Sequence, residues 1–279
     1  MEHTISTSAD GSNTLQLTRF NETYHSRNGA YTEASHIYIA CGLDYLFKNG
    51  PAADARQASP GINVYDIGLG TALNCILAWC WQQHLIRCGK PYPQIAYYGI
   101  EKYPIPPQEA LQLNYPQVIA GHLENLTRED ACLCRYGIQP PHKADCTPMG
   151  YHHPDAEEIA SAFEKMHTCE WERNIEITPG FILHKNRADI KGLPSEYFKG
   201  CEYENGPSAI FYDTFSPATQ PELWDEEIFR AIAGGCSSGS ILTTYCSKGT
   251  VKQALRNAGF KLERLAGPPG KRHMLRASL

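Results

Sequence analysis

Acidic residues close or follow four separate runs of strand-forming residues in this chain, at Asp66, Glu101, Asp189 and Asp213. In a parallel α/β sheet such strand tips face one crevice, where ligands bind. The first tip runs Asp66-Ile67-Gly68-Leu69-Gly70-Thr71-Ala72-Leu73-Asn74 and enters a long apolar segment. Glycines there let a ligand approach the backbone, and the helix start behind them offers free N–H groups to a polar or anionic group. A dinucleotide fingerprint requires a third small residue where Leu73 stands, so the motif is only Gly-x-Gly. Glu101 suits a ribose diol, because a carboxylate accepts two hydroxyl hydrogen bonds. That arrangement serves NAD and S-adenosylmethionine equally. Asp189 suits an adenine amino group. Asp213, followed by Thr214-Phe215-Ser216-Pro217 and then Trp224, closes the run expected to be the central fourth strand, next to the reacting end of any bound ligand.

Positioning these residues requires alternating strands and helices. The pattern predicts strands at 62–67, 94–101, 181–184, 209–212 and 241–245, with helices at 71–88, 107–113, 154–166, 221–232 and 248–258. Segments 260–265 and 273–277 read as a closing antiparallel pair. Residues 1–13 read as disordered, 14–45 as short strands and turns leading into Ser35–Leu46, and 51–61 as a linker. Strand–helix alternation implies a mostly parallel sheet with right-handed crossovers. The organisation expected is an N-terminal extension at 1–50 covering the substrate side, then one α/β domain at 51–279 with an irregular insertion at about 121–174.

Composition narrows the function classes. The chain has 279 residues, net charge −5 and 11 cysteines. An odd cysteine count without a secretory leader reads as reduced thiols in a cytoplasmic protein. The longest apolar helix candidate, 72–86, is broken by Asn74, Gln82, Gln83 and His84, so no membrane span is expected. The acidic balance argues against broad nucleic-acid affinity. From Lys248 onward, however, eight cations face the single acid Glu263 (Lys248, Lys252, Arg256, Lys261, Arg264, Lys271, Arg272, Arg276). Such a density suits phosphate contacts. Cys132, Cys134, His142, Cys146, His152, His153, His167 and Cys169 cluster in the insertion, but their spacing fits no common zinc frame, and no metal is expected.

The blocks Asp66–Asn74, Phe211–Pro217 with Trp224, Ala258-Gly259-Phe260 and Gly270-Lys271-Arg272-His273-Met274-Leu275, with Tyr24–Glu33 near the N-terminus, resemble one family. It is the methyltransferase half of the bifunctional tRNA 5-methylaminomethyl-2-thiouridine biosynthesis proteins and its stand-alone relatives. The resemblance covers nearly all of the chain outside 121–174. It implies a Rossmann-like, S-adenosylmethionine-dependent methyltransferase with a seven-stranded, mostly parallel sheet, helices on both faces and a small β-rich N-terminal extension. With the chain ending at Leu279, a form without the flavin-dependent oxidase half is expected. The implied reaction methylates the primary amine of 5-aminomethyl(-2-thio)uridine at a tRNA wobble position, and the partner is the anticodon stem-loop. A monomer or weak homo-oligomer is expected. Cofactor contacts fall to Asp66, Gly68, Gly70, Thr71, Leu73, Asn74, Glu101, Lys102 and Asp189, and catalysis to Asp213. Substrate contacts fall to Tyr31, Glu33, Phe215, Pro217 and Tyr245, with Lys271 and Arg272 on phosphates. The alternatives are a methyltransferase for a small-molecule amine, a NAD-linked oxidoreductase and an inactive tRNA-binding module. Two departures from the family pattern stand out. Ala72 replaces a glycine, tolerable if that residue is already helical, and Thr214 replaces a glycine that keeps the pocket wide.

Overall fold

A computed structural model describes residues 3–18, 22–50, 61–128, 153–200, 202–204 and 206–279. Its core is an eight-stranded sheet. In chain order, β4 (Gly61–Ile67), β5 (Gln94–Ile100), β6 (Asn174–Thr178), β7 (Phe181–Asn186), β8 (Ser208–Tyr212), β9 (Ile241–Thr244), β10 (Lys261–Ala266) and β11 (His273–Ser278) are arranged β10-β11-β9-β8-β4-β5-β7-β6. The five central strands are parallel, β6 and β11 run antiparallel to them, and the edge strand β10 pairs antiparallel with β11. The count exceeds the expected seven because β6, which begins where the segment read as irregular ends, folds back on β7 through the turn at Gly180, where φ is +82°. Neighbours of β4 lie on opposite sides, β5 on one and β8 on the other, which opens a crevice at their carboxyl ends.

Alternation along the strands builds two cores. Ile62 and Val64 of β4 join one apolar cluster, while Tyr65 and Ile67 join the other. The first face is covered by α3 (Leu73–Arg87), α5 (Tyr115–Arg128) and α6 (Ala156–Thr168). The second is covered by α7 (Glu226–Gly235) and α8 (Gly249–Asn257). A short α4 (Pro107–Ala110) starts on Pro107, whose fixed φ suits a first helical turn.

The N-terminal region differs from the expected run of strands and turns. The segment read as disordered contributes β1 (His3–Thr7), which pairs antiparallel with β2 (Asn13–Leu17), and β3 (Glu22–Thr23) completes a small sheet. Residues 30–49 are then continuously helical: α1 (Ala30–Ala34), a π-helical stretch over Ser35–Asp44, and α2 (Tyr45–Asn49). The β1–β2 turn supplies the partners that the first N–H groups of α1 lack. Ser8 Oγ accepts from Ala30, Ser12 Oγ from Tyr31, and Asp10 Oδ2 from Thr32. Helical stretches of π type are rare and concentrate at functional sites. Here the stretch buries Ile37, Tyr38 and Leu43 against the sheet face beneath the site.

Candidate active site

The crevice at the carboxyl ends of the parallel strands is lined by Gly68, Gly70, Glu101, Lys102, Asp189, Asp213, Thr214 and Phe215, with Tyr24 and Tyr103 at its rim. All four expected acidic tips therefore lie in one neighbourhood, three of them on the crevice wall and Asp66 beneath it. Gly68 has φ of +94°, and a Cβ there would stand 2.7 Å from the Asp213 carbonyl oxygen. Only glycine lets the two strand ends approach so closely. Gly70 has φ of +49°, and its N–H donates to Glu101 Oε2 at 3.0 Å. Glu101 Oε1 accepts from the Tyr103 amide at 2.8 Å. Burial pushes the Glu101 carboxyl upward against the opposing pull of these amides. Lys102 pairs with Asp189 at 2.8 Å, and Asp189 also accepts from the Lys191 amide.

Asp66, Thr71, Leu73 and Asn74 depart from their expected place on the cofactor surface. Each is at most 3 % exposed and stands behind the crevice wall. Asp66 accepts from the Tyr97 hydroxyl at 2.6 Å and from Asn74 Nδ2 at 3.4 Å. Thr71 Oγ1 meets His25 Nε2 at 2.7 Å and the Tyr115 hydroxyl at 3.0 Å. His167 Nε2 lies 3.2 Å from the Thr71 carbonyl. These side chains fix the glycine loop from below. Burial drives the His25 and His167 imidazoles down to about 4, so both are neutral in that role. Ala72 is not right-handed helical. It caps α3 with φ of +57°, a conformation an alanine adopts only under strain.

Asp213 follows β8 and receives Asn74 Nδ2 at 2.9 Å. Burial raises its carboxyl; the Tyr38 hydroxyl, the Asn74 amide and the Lys271 ammonium pull it back down. Phe215 stacks edge-on with Tyr24 at 5.2 Å, and its carbonyl accepts from Trp224 Nε1 at 2.9 Å. Pro217 is half-buried beyond it. Thr214 is buried and lines the crevice, and its carbonyl accepts from the Tyr245 hydroxyl at 2.8 Å.

Two expected substrate contacts, Tyr31 and Lys271, are placed differently. Tyr31 is buried, with its ring stacked at 4.3 Å on His122, so it offers no open face to a base. Lys271 points inward, pairing with Glu33 at 2.5 Å and lying 4.0 Å over the Tyr245 ring. Arg276 is also turned in, bound to Glu263 and placed over Tyr45. Arg272 remains exposed, together with Lys248, Arg256, Lys261 and Arg264. Tyr24, Tyr38 and Tyr97 escaped the sequence reading as site residues. Tyr97 carried one legible sign, a hydroxyl in a strand directly preceding Glu101. Cys132, Cys134, His142, Cys146 and His152 lie outside the described residues, and no group of three metal-ligating side chains occurs among the described ones.

Residues 190–279 match a family model described as S-adenosyl-L-methionine-dependent methyltransferase. The tRNA 5-methylaminomethyl-2-thiouridine biosynthesis bifunctional protein MnmC of Aromatoleum aromaticum is 28 % identical over 265 residues, covering 92 % of this chain and 32 % of the relative. Its counterpart in Nitrosospira multiformis is 23 % identical, covering 95 % and 35 %. The chain thus spans about a third of the length of these curated relatives. The crystal structure of MnmC2 from Aquifex aeolicus superposes with a TM-score of 0.63 at 21 % identity, covering 100 % of this chain and 70 % of that one. The fold is the α/β fold of that protein, and no helix among the described residues is long and apolar enough to cross a membrane.

Proposed function

We propose that this chain methylates the primary amine of 5-aminomethyl(-2-thio)uridine at the wobble position of a tRNA, with S-adenosyl-L-methionine as donor. The observation that carries the reading is the gathering of Gly68, Gly70, Glu101, Asp189 and Asp213 at one sheet end, in a chain whose relatives are named for that modification. The donor set fits such a cofactor. Gly68 and Gly70 keep the crevice floor free of side chains, and Glu101 presents two oxygens that exchange amide partners for ribose hydroxyls. Asp189 and Lys102 supply an acceptor and a donor at the far end. When bound, the cofactor supplies a methyl group on a sulfonium, which carries its own leaving group.

The protein's task is then alignment and proton management. Asp213 is fixed by Asn74 and by the Ile67 carbonyl accepting its backbone N–H at 3.0 Å, so its carboxylate has a defined direction. From there it holds the amine by hydrogen bonds, turns the lone pair toward the methyl carbon and takes or relays the departing proton. Phe215, at the crevice wall, gives a flat surface on which an extruded base stacks. Arg272, exposed on the β10–β11 hairpin, serves the stem phosphates. Mass spectrometry of digested tRNA after incubation with S-adenosyl-L-methionine tests the reading. A 14-dalton gain on 5-aminomethyluridine, roughly one methylene as amine methylation requires, supports it; an unmodified nucleoside overturns it.

A further inference from the structure

The Lys271 ammonium sits where a substrate ammonium would be welcome. It is 2.5 Å from a carboxylate oxygen of Glu33 and 4.0 Å above the Tyr245 ring, whose hydroxyl donates to the backbone of Thr214 beside Asp213. An aromatic face with a carboxylate at its edge is a general recognition arrangement for ammonium ions. Glu33 is 7 % exposed, and the Lys271 ammonium is the cation that pairs with it. A carboxylate this deep needs a cation: left alone it is strongly destabilising. His25 brings no charge to it at neutral pH, being held neutral by burial. Lys271 is the tenant, but only loosely built in. It lies in the turn between β10 and β11, next to Gly270 at φ of +84°, and its side chain keeps 26 % of its surface exposed. A long flexible stem lets its head leave without moving the backbone.

We propose that the Glu33 carboxylate and the Tyr245 face form a subsite for primary ammonium groups beside Asp213, and that Lys271 fills it until a substrate amine displaces it. The subsite deepens the proposed methylation, on which it rests only for the identity of the incoming amine. The exchange leaves the charge balance intact, because one ammonium replaces another over the same carboxylate. It also explains why a cation expected on phosphates points inward. Displaced, Lys271 joins Arg272 on the outer face of the hairpin, where phosphate contacts are available.

A probe that needs no methyl transfer separates this inference from the reaction itself. Ethylammonium, at pH 8 and constant ionic strength, is followed by saturation-transfer NMR with wild type, Lys271→Ala, Lys271→Ser and Lys271→Ala/Glu33→Gln. Vacating the subsite should admit ethylammonium with a dissociation constant of about 1–10 mM, appropriate to so small a ligand. Both single variants should show transfer, and wild type and the double variant at least tenfold less. Two truncations guard against a folding defect in either one, with circular dichroism as the check. Equal transfer to wild type and a folded single variant, or transfer that survives Glu33→Gln, overturns the subsite. If tRNA is not methylated while the ethylammonium pattern appears, the subsite stands and the reaction assignment falls.

Discussion

The proposed methyl transfer requires Asp213 to be ionised inside a wall that disfavours charge. Burial raises its carboxyl first, and the Tyr38 hydroxyl, the Asn74 amide and the Lys271 ammonium then pull it down only in part. A carboxylate with a raised proton affinity is a better acceptor for an amine proton than an exposed aspartate. Two consequences are measurable. Methyl transfer should fall as pH drops through the raised value, placing the acid limb of the rate profile above the ordinary carboxylate range. Asp213→Ala should lower single-turnover methylation by about 10²–10⁴-fold, the usual worth of a positioned proton acceptor, while calorimetry with S-adenosyl-L-methionine shows little change in affinity. Unaltered single-turnover transfer would remove Asp213 from the mechanism. Stability runs the other way. A carboxyl whose folded value lies above its unfolded one favours folding as pH falls and disfavours it at neutrality. Asp213→Asn should therefore melt no lower than wild type at pH 7, even as turnover collapses.

The elements reveal how the glycine loop and the helix beneath it are held, and each carries a prediction. Ala72 occupies the left-handed cap of α3, where L-residues other than glycine pay a steric penalty. Ala72→Gly should stabilise the protein by about 0.5–1 kcal/mol, the left-handed relief less the backbone entropy glycine loses on folding; a lower midpoint in urea would contradict this. Asp10 ties the β1–β2 turn to α1. Burial works against its charge, but donors on Ser8, Ser12 and Thr32 outweigh it and leave the carboxyl at about 2. The depressed value contributes stability fully above the ordinary 3.8, and this is lost as pH falls toward 2. Asp10→Asn should cost about 2 kcal/mol at pH 7 and flatten the stability profile between pH 4 and 2, read by denaturant titration at each pH. Much of this level was legible in the sequence, because continuous runs of strand formers ending in glycine or acid mark doubly covered parallel strands plainly. The π-helical stretch and β1 were not. Their residues are chosen by tertiary partners, the sheet face under Tyr38 and the pairing with β2, and local periodicity carries no trace of either.

For the whole molecule, parts of the chain far apart in sequence are brought into contact near its two ends. Asn28, in the 25–29 loop, packs against Gly270 of the β10–β11 hairpin, leaving no room for a Cβ there. Arg27 and Arg272 consequently stand exposed on adjoining loops. The sequence displayed a basic C-terminal third, but not that its cations divide into two groups. Lys271 and Arg276 turn inward to carboxylates and aromatic rings, while five others stay in solvent and Lys252 is half-buried. A net charge of −5 makes long-range attraction to a polyanion weak, so tRNA affinity should depend on this local rim rather than on the overall field. Each rim arginine that neutralises a phosphate should contribute about 1 to the slope of log affinity against log salt. Arg27→Glu with Arg272→Glu should thus weaken tRNA binding most at low salt and reduce that slope by about 2. S-adenosyl-L-methionine affinity should stay unchanged, since neither residue lines the crevice. Filter binding across a salt series decides it. A slope equal to wild type would mean that the rim does not touch the nucleic acid, and that recognition lies with Lys248, Arg256, Lys261 and Arg264 on the outer elements.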